Sequence, residues 1–160
     1  MRRVLLLAAA ISCGALAFAP RDAAAEERPF KATLAGNSVL SPTDNPCVLR
    51  NSETGDGDAT DLGRVTWQSE ELADFCANPG GVAVIAAFVM TAANGDELYG
   101  VYTAIGEFDA AGNPIIHGTY EFDGGTGRFA DATGSGDIDA LGFLVQGLPV
   151  FGTLAGTIDD

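Results

Sequence analysis

From Pro29 onward strand signals dominate, several segments alternate apolar and polar residues in the period of strands that bury one face, and no stretch keeps the 3.6-residue stripe of a helix. Phe30, Ala32, Leu34 and Gly36 alternate with Lys31, Thr33, Ala35 and Asn37, which predicts a first strand. A polar loop is expected through Pro42, Asn45-Pro46-Cys47 and Asn51–Asp58, followed by a second strand near Leu62–Gln68. After a loop closed by Pro79-Gly80-Gly81, the run Val82–Met90 has no polar face, so it is expected to be buried on both sides or to lie against a second subunit.

Asn94-Gly95 predicts a type I′ hairpin leading into Leu98–Phe108. In that strand Leu98, Gly100, Tyr102, Ala104, Gly106 and Phe108 share one face and alternate large with small, as the filling of a tapered barrel requires. Asp109–Pro114 makes another turn, and Ile116, Gly118, Tyr120 and Phe122 repeat the pattern. Strands near Asp137–Val145 and Val150–Ile158 complete the series. Seven or eight strands joined mostly by short turns fit a sandwich or a barrel. Closure removes exposed edges, and glycines recurring within strands suit sharp coiling, so the expected fold is all-β, a single antiparallel up-and-down β-barrel of about eight strands.

The run GGTGRFADATGSG at Gly124–Gly136 holds five glycines between two strand patterns. It lacks the Gly-Lys-Ser/Thr ending of a phosphate loop and reads as a connection between barrel strands, with Arg128 and Phe129 plugging one barrel end.

At the N-terminus, Arg2 and Arg3 precede an apolar segment from Val4 to about Ala19 and the small-residue end Ala23-Ala24-Ala25, the pattern of a secretory signal peptide over 1–25. Cys13, after Ala-Ile-Ser, offers a lipoprotein-type site, although alanine stands where leucine is usual. Residues 26–160 then form one domain, secreted or periplasmic, and no segment reaches the ~20 apolar residues of a membrane span. Cys47 and Cys76 remain as an even pair in an oxidising compartment and are expected to form a disulfide; with no histidine near them they make poor zinc ligands. The whole chain carries a net charge of −14. Such a surface repels phosphate backbones, so no nucleic acid partner is expected, and the acidity serves solubility first and attraction of basic partners second.

The Pro-Phe-Lys start, Gly57–Arg64, the Thr-Ala-Ala-Asn-Gly-Asp hairpin, the glycine run and the Gly-Thr-Leu-Ala-Gly-Thr ending together resemble bacterial secreted proteins of the allene oxide cyclase barrel-like group, relatives of dirigent proteins. The resemblance implies a compact antiparallel barrel, and its plant relatives are trimers that bind apolar or aromatic small molecules inside it. Related bacterial proteins often carry histidine where this chain has Asp61. Plant cyclases of this fold use a pocket carboxylate and a bound water, but no position of this chain aligns with them residue by residue.

No catalytic set emerges from the residues themselves. His117, the only histidine, falls on the face opposite Ile116, Tyr120 and Phe122, so it points outward with no nucleophile near it. Ser135 lacks the Gly-x-Ser-x-Gly context of a nucleophile elbow. Asp56-Gly57-Asp58-Ala59-Thr60-Asp61 is a poor calcium loop, without the sixth-position glycine and with Trp67 at position twelve. Glu107, Asp109, Glu121 and Asp123 lie near ends of neighbouring strands and are candidates for paired carboxylates at a barrel mouth. No cofactor is implied. The reading is a non-catalytic secreted barrel that binds a small apolar molecule or self-associates, with Leu98, Tyr102, Phe108, Ile116, Tyr120 and Phe122 lining or simply packing its interior; the alternative is a cyclase or isomerase acting on a hydrophobic substrate inside the barrel.

Overall fold

The computed structural model describes residues 27–110, 112, 114–142 and 149–160. The expected signal peptide, residues 1–25, and Cys13 within it lie outside the described residues. Eight strands follow one another: β1 (Arg28–Pro42), β2 (Val48–Ala59), β3 (Gly63–Asp74), β4 (Gly81–Ala92), β5 (Glu97–Phe108), β6 (Pro114–Gly125), β7 (Thr133–Leu141) and β8 (Pro149–Ile158). Each pairs antiparallel with the next, and β8 returns to β1, so the sheet closes as an up-and-down barrel. No α-helix occurs among the described residues.

Closure explains why the period-2 pattern is so consistent. One face of every strand must fill the barrel and the other meets solvent, so Val65, Trp67 and Ala73 on β3, or Ile116, Tyr120 and Phe122 on β6, are buried while their neighbours are exposed or half-buried. The half of the barrel nearest the start of β1 and the end of β8 is filled by aromatic rings packed edge to face, with Phe30 and Phe122 centroids 4.9 Å apart at 80°. Such pairs add about 0.5–1.5 kcal/mol beyond the burial of their area.

A 3-10 turn at Gly127–Phe129 closes this end. Gly127 adopts φ +58, open to a residue without Cβ, and Phe129 is fully buried with the Arg128 guanidinium 4.6 Å above its ring. The plug read from the glycine run is therefore in place. At the other end Cys47 and Cys76 are disulfide-bonded, tying the entry of β2 to the exit of β3.

Three local expectations need correction. Asn51–Asp58, expected as loop, belongs to β2, because strands on both sides complete its backbone ladder whatever its side chains are. The Asn94-Gly95 turn is not type I′, since only Gly95 of the two takes positive φ and the Ala92 amide donates to the Asp96 carbonyl across a longer loop. Val82–Met90 is not buried on both sides within the chain: Val82, Val84, Phe88 and Met90 point inward, and Ile85 on the outer face is 56% exposed.

Candidate functional site

Two regions stand out, one inside the barrel and one on its outer wall. Inside, β1, β2, β3 and β5 converge on a polar cluster near the disulfide end: Ser38, Asn51, Glu53, Ser69, Glu71 and Tyr102, all buried. Register makes the meeting inevitable. Asn51 pairs with Glu71 and Glu53 with Ser69, so the two glutamates are diagonal neighbours on one face, within reach for long side chains. Asn51 Nδ2 donates to Glu53 Oε1 at 3.0 Å and to Glu71 Oε2 at 2.7 Å. Ser38 donates to Glu53 Oε1 at 2.8 Å, Ser69 donates to Glu71 Oε1 at 2.9 Å, and the Tyr102 hydroxyl donates to the same oxygen of Glu71. Glu71 pairs with Ala86, and Ala86 with Tyr102, so the small alanine on β4 leaves the path by which the tyrosine reaches across to the glutamate.

Burial dominates the electrostatics here. It pushes the Glu71 carboxyl up to about 8, with the Glu53 charge adding to the rise against the hydrogen bonds from Tyr102, Asn51 and Ser69. Glu53 is likewise raised by burial, against hydrogen bonds led by Ser38. Tyr102 is pushed well above the ordinary phenol value by burial and by Glu71. A carboxyl raised in this way keeps its proton to higher pH than an exposed one, the condition that suits a proton donor.

Among the described residues, the cavity beside this cluster is small. The cavity beside Glu53, Ser69 and Tyr102, walled by Trp67, Phe88 and Leu154, measures about 30 Å³. That accommodates one or two waters, whereas small-molecule pockets run to roughly 300–1,000 Å³. Of the expected interior residues, Leu98, Tyr102, Ile116, Tyr120 and Phe122 are buried in the barrel, and only Tyr102 lines this cavity. Phe108 is 45% exposed: it is the last residue of β5, beyond the enclosed rows, so parity alone does not bury it.

Other candidates separate cleanly. His117 is exposed and pairs with Asp139 on β7, as its parity implied. Glu107 and Glu121 do not share a mouth, since Glu107 pairs with Ile115 and Glu121 with Val101 at opposite ends of the β5–β6 ladder, both facing outward. Asp56 and Asp58 point outward from β2, while Asp61 takes φ 65 and accepts from Arg28 at 3.4 Å. No cluster of three or more metal-type ligands occurs among the described residues.

On the outer wall an open depression of about 560 Å³ runs from Arg50 on β2 to Glu121 on β6. Its floor is apolar at Leu72, Ile85, Ala87 and Val101, with Glu70 beside Arg50 on one side and Glu121 on the other. The outward residues of β4, Ala83, Ile85, Ala87, Val89 and Thr91, include no charge. Sequence reasoning found this face through the two-sided apolarity of Val82–Met90, but it missed Glu53 and Glu71, because a strand that is polar inside gives no alternation to read. The one available signal was the in-phase spacing Asn51, Glu53 against Ser69, Glu71. Comparison with protein-family models, curated proteins and solved structures finds no match for this chain.

Proposed function

We propose that this protein is a secreted, non-catalytic barrel of the allene oxide cyclase barrel-like kind that self-associates through the outer face of β3–β5. The carrying observation is the charge-free outer stripe of β4 on a chain of net charge −14. Like-charged copies repel, and repulsion within a Debye length of about 8 Å at physiological salt is weakest where a face carries no charge. The internal-ligand half of the sequence reading loses support, because about 30 Å³ holds no small apolar molecule.

The occupant of the depression is a second copy, joined by a two-fold axis near Ile85. Arg50 lies two strands to one side of β4 and Glu121 two strands to the other, both lining the depression. A two-fold axis running along β4 brings Arg50 of each copy, which also lies 3.9 Å from Glu70 of its own chain, toward Glu121 of the other, an isologous contact with opposite charges at its rims. The test is mutational: Ile85→Glu abolishes association in sedimentation. Arg50→Glu and Glu121→Arg each weaken it, and the double exchange restores it. A double exchange no better than the singles refutes the two-fold arrangement.

Acid–base isomerisation inside the barrel is a second reading, favoured by one observation, the desolvated Glu53–Glu71 pair. Trp67, the sole tryptophan, lines the internal cavity and reports any occupant. Unchanged Trp67 emission across a panel of apolar and aromatic probes removes this reading.

A further inference from the structure

The polar cluster poses a charge problem. Arg28, Lys31, Arg50, Arg64 and Arg128, the basic residues among those described, sit on the outside, and none belongs to the buried set. His117 is exposed as well. The groups facing the pair are Ser38 from β1, Asn51 from β2, Ser69 from β3, Ala86 from β4 and Tyr102 from β5, so no cation among the described residues offsets the carboxylates. Two uncompensated buried charges within reach of one amide are far costlier than one.

Hydrogen counting points the same way. Ser38, Ser69 and Tyr102 each give their hydroxyl hydrogen to a glutamate, and Asn51 gives one Nδ2 hydrogen to each carboxyl. Those donors are then exhausted, yet Asn51 Oδ1, fully buried, still has no partner. The cluster is short of hydrogens, not of acceptors. Both carboxyls accept from the one Asn51 amide, Glu53 Oε1 at 3.0 Å and Glu71 Oε2 at 2.7 Å, so they sit side by side, where two full negative charges repel and a shared proton relieves the repulsion.

We propose that Glu53 and Glu71 hold one proton between them at neutral pH, and that its loss in alkaline solution loosens the wall formed by β2, β3 and β5. The inference is independent of self-association. Titration belongs to the pair and not to either residue alone. The linkage has an unusual sign for acidic groups. Both carboxyls bind protons more tightly folded than unfolded, with Glu71 at about 8 against 4.5, so their stabilising contribution is full below about pH 4.5 and is lost as pH rises through about 8.

Two measurements test this on the intact protein. Infrared difference spectroscopy of the wild type should show a buried protonated-carboxyl band at pH 7 that vanishes in alkali. A band already gone near pH 6 overturns the proposal. In denaturant titrations the unfolding constant of the wild type should rise by up to about tenfold per pH unit between pH 5 and 8 relative to Glu71→Gln, which carries its own amide hydrogens. Should Glu71→Gln fail to fold, Glu53→Gln replaces it in the same comparison. Parallel pH profiles for wild type and variant also overturn the proposal.

Discussion

β2 and β4 break the inside-apolar, outside-polar rule of a barrel strand in opposite directions. β2 is polar on both faces, with Asn51 and Glu53 inside and Arg50, Asp56 and Asp58 outside. β4 is apolar on both, with Val84, Phe88 and Met90 inside and Ile85 and Val89 outside. Both nonetheless form complete twelve-residue strands, because in a closed sheet each has a partner on either edge and its backbone groups are satisfied without regard to side chains. Closure frees the side-chain pattern for other tasks. What β2 does with that freedom is place Asn51 and Glu53 inside the barrel beside Glu71 of β3, and what β4 does is present an uncharged face.

The energetic consequences differ, and mutation separates them. Phe88→Ala on the inner face of β4 removes a ring packed near Tyr102 and Phe122 and should cost about 3–5 kcal/mol in urea unfolding. On the polar side stability leans instead on the covalent tie. Losing the Cys47–Cys76 bond, which spans 29 residues, should cost about 3–4 kcal/mol, with early loss of hydrogen-exchange protection in β2 and β3. If protection falls uniformly around the barrel, the two walls do not differ as described. Next in size is Gly55→Ala on β2. An added Cβ would sit 2.0 Å from the Ala35 carbonyl oxygen, and the forced shift should cost up to about 3 kcal/mol by the same unfolding assay. Smallest in stability is Ile85→Glu on the outer face of β4, expected within about 0.5 kcal/mol of wild type in unfolding while acting strongly on association.

The same contrast explains what the chain disclosed before its structure was known. Alternation in β1, β5 and β6, the plugging turn at Phe129 and the cysteine pair were all legible, since each rests on burial of apolar groups or on simple parity. Asn51, Glu53, Gly55 and Gly57 carry no apolar signal, so the segment reads as loop, and the buried glutamates vanish with it. Register, which only the closed sheet supplies, brings Glu53 beside Glu71. Phe108 failed for the converse reason: its parity was right, but the enclosed barrel ends before it does.

The outer face of β4 carries the central claim, and sedimentation equilibrium of the protein lacking its first 25 residues, across a wide concentration range, tests it most directly. The account predicts a mass of two chains that falls to one when Ile85→Glu is introduced. A wild type that stays at the mass of one chain up to the highest concentration contradicts it.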